Sequence, residues 1–165
     1  DSWYQQQEAL QKKIVSRMRE LGIEPVFPGY AGMVPRNIGE KLGYQIADPG
    51  TWCGFPRPAF LSSEDEHFDS FAAMYYEELE KIYGKAKYYS MDPFHEGGNT
   101  EGVDLAKAGT SIMKAMKKAN PEAVWVIQAW QVNPRPAMID VLNAGDMLVL
   151  DLYSEKRPLG FDVVS

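Results

Sequence analysis

Lys87-Tyr88-Tyr89-Ser90-Met91-Asp92-Pro93-Phe94-His95-Glu96-Gly97-Gly98-Asn99 contains a strand that stops midway and a polar loop that follows at once. The first half is aromatic and half-apolar, as a short strand requires. Pro93 has no N–H to give a sheet ladder, so the strand ends near Asp92. Beyond it come a carboxylate, an imidazole and a second carboxylate, then a glycine pair that allows the backbone to turn sharply and lie close to a ligand. In parallel α/β sheets ligands sit outside the carboxyl ends of the strands, so ionisable residues clustered there are placed for chemistry. Glu96 is the central candidate. Taken alone, the loop also reads as Asp92 capping a turn, His95 in a local hydrogen bond and Glu96 solvated.

Other strands down the chain end in the same way. Residues 124–129 are apolar on both faces apart from Gln128 and finish at Trp130; residues 147–150 finish at Asp151, with Tyr153 and Glu155 following. Such runs suit parallel strands covered by helices. Earlier, residues 23–27 form a strand weakened by Pro25, followed by Pro28-Gly29-Tyr30-Ala31-Gly32, which presents an aromatic ring among glycines.

The helices fall between these strands. Leu10, Ile14, Val15, Met18 and Leu21 recur at helical spacing after Ser2 as N-cap, and Gly22 stops that helix. Residues 35–42 give a short helix. Ser63 and Glu66 form a capping box for a long amphipathic helix through Phe68, Phe71, Ala72, Tyr75, Leu79 and Ile82, ending at Gly84. Asp104 starts another, closed by Asn120-Pro121, and residues 137–142 a short last one. Residues 47–59, rich in Pro and Gly around Trp52 and Cys53, show no periodicity and read as a long functional loop.

The result is α/β: roughly four strand–loop–helix units in one segment, 1–165, with parallel strands and no linker. A closed eight-fold barrel needs about 250 residues. With no strand before the first helix, the pattern fits an open sheet or part of a barrel.

Composition narrows the chemistry. The 165 residues are 45% hydrophobic and 24% charged, enough for a real core, and the net charge of −6 opposes a sequence-independent hold on nucleic acid. Lys114, Lys117 and Lys118 lie in the last turns of a helix, where cations complement its dipole. No apolar run reaches the roughly 18 residues of a membrane span. The single cysteine, Cys53, excludes an internal disulfide and a Cys-rich zinc site. No Gly-rich phosphate loop or dinucleotide fingerprint is present.

Carboxylates alternating with aromatic rings on one rim suit sugars, whose apolar faces stack on rings while their hydroxyls bind Asp, Glu, Asn and His. Glycoside hydrolysis needs two carboxyl groups, about 5 to 5.5 Å apart for retention or roughly 6.5 to 9.5 Å for inversion. On spacing, Glu96 with Asp151 or Glu155 forms such a pair. Two other classes use the same residues: a metal-dependent barrel hydrolase with Asp92, His95, Glu96 and Asp151 as ligands, and a non-catalytic carbohydrate-binding or structural domain. The metal reading is the weaker, because His95 and Glu96 are adjacent and no second histidine lies near.

Four stretches carry a resemblance: Pro25-Val26-Phe27-Pro28-Gly29-Tyr30-Ala31-Gly32-Met33-Val34-Pro35, Asp92-Pro93-Phe94-His95-Glu96, Glu122-Ala123-Val124-Trp125-Val126-Ile127-Gln128-Ala129-Trp130, and Leu148-Val149-Leu150-Asp151-Leu152-Tyr153-Ser154-Glu155. In this order they resemble the α-N-acetylglucosaminidases, glycoside hydrolase family 89. The resemblance implies the middle part of a (β/α)8 TIM-type barrel that removes terminal α-linked N-acetylglucosamine with retention, using two glutamates, no metal and no cofactor. It places Glu96 as the general acid/base and His95 where the family often has Asn. It puts Trp52 and Trp130 at pocket-lining tryptophans, and Tyr30, Asp151 and Tyr153 in matching strand-end loops. The nucleophile belongs to a later motif not found before Ser165, which displaces the pairing drawn from spacing. It further implies a parent protein that is secreted, periplasmic or lysosomal, a glycan as partner, and 165 residues that by themselves are inactive and prone to self-association through open sheet edges.

Overall fold

The computed structural model describes residues 1–94, 98–130 and 132–152. Helix α1 runs Ser2–Glu20, capped at Asp1 rather than Ser2. It closes with Gly22 N–H donating to Arg19 O and Ile23 N–H to Met18 O, the paired bonds that satisfy a helix's last carbonyls. Strand β1 is Val26–Pro28, shorter and later than the expected 23–27 because Pro25 falls outside it.

A small antiparallel region follows where the sequence reads as short helix and loop: β2 (Met33–Val34), α2 (Ile38–Leu42), β3 (Ile46–Ala47), β4 (Thr51–Trp52), β5 (Phe55–Pro56) and β6 (Ala59–Leu61). β6 pairs with both β2 and β3. β4 and β5 form a hairpin across Cys53-Gly54, with φ of 48° and 82°, the left-handed pair that a two-residue hairpin turn demands. Residues 47–59 are therefore built of two- and three-residue strands, too short to leave an alternation in the sequence.

Helix α3 is Phe68–Tyr83. Its N-cap is His67, one turn past the expected Ser63–Glu66 box, and the turn that leads into it is held by Asp65. The Asp65 carboxylate accepts from the His67 N–H at 2.8 Å and the Gln45 N–H at 3.3 Å, and lies 2.8 Å from His67 Nδ1. Burial works to raise this carboxyl, but those hydrogen bonds outweigh it and hold it lowered. Then come β7 (Tyr88–Ser90), α4 (Leu105–Ala119), β8 (Val124–Ala129), α5 (Pro136–Ile139) and β9 (Met147–Asp151). α4 starts as the sequence reads, with Asp104 Oδ1 accepting from the Lys107 N–H at 3.0 Å.

The principal sheet has the order β1-β7-β8-β9, every pair parallel. Side chains alternate between its faces. Phe27, Tyr89, Trp125, Ile127 and Ala129 share one face and are all buried; Tyr76 and Tyr83 of α3 pack on Tyr89 and Phe27, and Ile112, Met113 and Met116 of α4 complete that core. The other face is open: Val26, Leu148 and Leu150 are 50%, 46% and 42% exposed. The basic end of α4 is a packing feature, with Lys114 3.0 Å from Asp69 and Lys117 2.9 Å from Asp146. Among the described residues no helix is long and apolar enough to cross a membrane.

Candidate active site

Parallel pairing brings the carboxyl ends of all four strands to one rim. Ser90 leads into Met91 and Asp92, Ala129 into Trp130, and β9 closes on Asp151 beside Ala129. Two bonds hold the rim together where the ladder ends. Asp92 Oδ1 accepts from the Gln128 N–H at 2.8 Å, and Trp125 Nε1–H donates to Met91 O at 2.9 Å. Asp92 thus ties the end of β7 to β8.

Trp130 is half-buried and starts a tight turn. Its N–H donates to Asn133 O and the Asn133 N–H returns to Trp130 O at 2.9 Å; Asn133 is buried and precedes a cis proline, Pro134. Trp130 and Asp151 are accordingly neighbours at the ends of adjacent strands. Trp52 is elsewhere, on the β4–β5 hairpin, half-exposed and paired directly with Phe55. Arg36 holds the base of that hairpin through both Asp48 oxygens at 3.2 Å and through Arg57 O.

Tyr30 is not presented to solvent among its glycines. It is 5% exposed, packed against Phe68 and Tyr75. Its N–H donates to Tyr76 Oη, and its own hydroxyl has no partner among the described residues; burial pushes that phenol upward. The ring anchors the strand-end loop from inside the core. Glu96, His95, Tyr153 and Glu155 lie outside the described residues.

A cleft of about 190 Å³ opens beside the rim, between the antiparallel region and the loop after β7. Ala47, Asp48, Phe60, Ser62, Glu64, Phe94, Asn99 and Ile112 are among its walls. Trp52, Trp130 and Asp151 do not line it. Phe94 has φ of 63°, a conformation that bulky residues rarely hold; nothing in its residue type announces this. Among the described residues no group of three His, Cys, Asp or Glu side chains is arranged to hold a metal ion.

Four parallel strands with helices on one face, and polar and aromatic residues at their carboxyl ends, define an α/β protein of the partial-barrel type whose site belongs on that rim. Comparison with known proteins gives the family. The chain belongs to the α-N-acetylglucosaminidase (NAGLU) TIM-barrel domain family, whose profile matches residues 1–163. Human α-N-acetylglucosaminidase is 30% identical over 174 residues, covering 96% of this chain and 23% of that protein. The family 89 glycoside hydrolase of Clostridium perfringens, solved with 2-acetamido-1,2-dideoxynojirmycin, is 40% identical over 95% of this chain and 19% of that one, with a TM-score of 0.90. A variant of it with two glutamates changed to glutamine, in complex with its substrate GlcNAc-alpha-1,4-galactose, matches at 39% identity and the same TM-score. The chain spans less than a quarter of the length of these relatives.

Proposed function

We propose that these residues form the middle part of the catalytic barrel of a retaining α-N-acetylglucosaminidase, carrying the general acid/base Glu96, with the nucleophile on a part of the enzyme outside the 165 residues. The observation that carries the reading is the family match over residues 1–163, together with a rim formed by the carboxyl ends of four parallel strands; in the sequence Glu96 comes six residues after the end of β7. The solved relative supports the substrate class: a form of it with two glutamates changed to glutamine is in complex with its substrate GlcNAc-alpha-1,4-galactose.

The chemistry then runs in two steps. Glu96, as the carboxylic acid, gives its proton to the glycosidic oxygen while the nucleophilic carboxylate attacks C1 and the C1–O bond breaks. In the second step Glu96, now a carboxylate, takes a proton from the water that attacks C1 and releases the nucleophile. Trp130 and Asp151, adjacent at the ends of β8 and β9, contact the N-acetylglucosamine, with Trp52, His95 and Tyr153 completing the pocket. The buried position of Tyr30 assigns it to supporting the β1 loop instead.

The test is hydrolysis of a chromogenic α-N-acetylglucosaminide by the full-length enzyme, wild type beside Glu96→Gln. The substitution is expected to lower kcat/KM on unactivated glycosides by about 10²-fold or more, with partial recovery on substrates whose leaving group needs no proton. An unaffected variant would refute the role of Glu96 and return sugar binding without catalysis as the better account.

A further inference from the structure

Trp52, Trp130 and Asp151, assigned above to the sugar, do not line the cleft of about 190 Å³ beside the rim. Its deep part is apolar: Ile112 of α4 is 1% exposed, and the Phe60 ring of β6 is half-buried. Its outer part is polar, with Ser63 partly exposed and Asp48, Glu64 and Glu101 exposed. An apolar body with a few convergent polar groups is the usual form of a ligand site. Cavities of about 150 Å³ admit a benzene ring, so this one has room for a single six-membered ring.

Charge narrows what that ring is. No Lys, Arg or His is among the described residues that line the cleft. Two of its three carboxylates are paired from outside: Arg36 holds both oxygens of Asp48 at 3.2 Å, and Lys107 Nζ lies 3.1 Å from Glu64. Glu101 has no ion pair among the described residues. A turn presents it: its N–H donates to Asn99 Oδ1 at 2.9 Å, and the Val103 N–H closes on Thr100 O at 3.1 Å across Gly102, whose φ is 72°. An ionised carboxylate accepts hydrogen bonds and donates none. Its partner must bring O–H or N–H groups, as a neutral sugar does. A uronate or a sulfated sugar adds a like charge in a partly enclosed space, where repulsion is stronger than in water.

We propose that this cleft is a leaving-group subsite for one uncharged sugar ring, with Phe60 as its apolar wall and Glu101 and Ser63 as hydroxyl partners. The inference rests on the glycosidase reading. An enzyme that removes terminal residues holds one sugar at the point of cleavage, so every other sugar of the glycan lies on the leaving-group side. The antiparallel region thereby acquires a part in specificity: β6 and the turn around Glu101 select neutral glycans over acidic ones.

The experiment uses the full-length enzyme, wild type beside Glu101→Lys and Phe60→Leu. The substrates are GlcNAc-α-1,4-galactose, GlcNAc-α-1,4-galacturonate, which differs by one ionised carboxylate, and methyl α-N-acetylglucosaminide, which has no second ring. Wild type is expected to prefer galactose to galacturonate in kcat/KM, and Glu101→Lys to lower that ratio about tenfold, because an acceptor becomes a cation that pairs with the uronate. Phe60→Leu keeps an aliphatic wall and removes the ring. Its kcat/KM is expected to fall about fivefold further on the galactose disaccharide than on the methyl glycoside, with the difference carried by KM. A ratio unmoved by Glu101→Lys overturns the subsite. Equal losses on the disaccharide and the methyl glycoside in Phe60→Leu also overturn it, since the ring then serves only the fold. Should Phe60→Leu not fold, Glu101→Lys decides, because its side chain is exposed on a turn. If wild type cleaves none of the three substrates, the glycosidase reading fails and the subsite with it; cleavage with unmoved ratios sinks the subsite alone.

Discussion

Asp92 shows how one carboxylate at a strand end can look catalytic and be structural. The β7 ladder stops at Ser90, and beyond it Asp92 Oδ1 supplies the acceptor for the Gln128 N–H of β8 at 2.8 Å. Truncating it orphans a part-buried donor. Asp92→Ala is expected to cost about 1 to 3 kcal/mol of stability, measured as a drop in the denaturant midpoint, and Asp92→Asn, which keeps an acceptor oxygen, distinctly less. Equal stability for all three would mean that water replaces the bond without penalty. Tyr30 makes the same point from the opposite side. Aromatic residues flanked by glycine read as presented, yet two aromatic neighbours from α3 draw the ring inward. Its direction is a tertiary property that no local pattern carries.

At the scale of elements, α3 and α4 and the strands β7, β8 and β9 were legible because their signals are long or doubled. A helix of four turns repeats its apolar stripe several times, and a parallel strand shows a continuous apolar run bounded by turn residues. The short pieces were not. The β4–β5 hairpin offers two residues a side, and its only local mark is Cys53-Gly54, where Gly54 permits the second positive φ. The α3 start was misplaced because Ser63 and Glu66 satisfy the spacing of a capping box while Asp65, reached also by Gln45 just before β3, makes the bonds at the turn that leads into the helix. The site divides likewise: the rim followed from strand ends, whereas the bracing of Phe94 by Phe60 joins residues 34 apart.

The link between α4 and β9 carries a pH signature. Asp146 is 7% exposed, and its carboxylate meets Lys117 Nζ at 2.9 Å and the Asn143 N–H and Nδ2 at 3.1 Å. Burial works to raise its pKa, and Lys117 and Asn143 outweigh that and lower it. A lowered folded-state pKa means stability present above the unfolded carboxylate value and lost as pH falls through the folded one. Asp146→Asn is therefore expected to cost about 1 to 3 kcal/mol near neutral pH. The gap to wild type should close as pH drops below about 4. A gap that stays constant down through that range would show that the contribution is not that of the ionised carboxylate.

On the scale of the whole molecule, the sheet has one finished face and one unfinished one. Helices bury Phe27, Tyr89, Trp125 and Ile127, while Val26, Leu148 and Leu150 on the opposite side stay about half exposed and only Val126, in the middle, is enclosed by its neighbours. Among the described residues β1 and β9 are the two edges of the sheet. α1 adds a second uncovered surface: Val15 is its buried contact, and Trp3, Leu10, Ile14 and Leu21 recur at intervals of seven, four and seven along one exposed stripe. Four parallel strands are half of an eight-stranded barrel, whose interior face is packed by side chains from all its strands. In the proposed enzyme the missing half covers these surfaces and brings the nucleophile. On that proposal the 165 residues made alone lack both. They are expected to show no hydrolysis of α-N-acetylglucosaminides and to associate in light scattering with a mass that rises with concentration. Leu148→Lys with Leu150→Lys is expected to shift that mass toward the monomer, because charge on an open sheet face opposes its pairing. A clean monomer at all concentrations would argue that the open face tolerates water, and measurable turnover would place a second catalytic carboxylate within these residues.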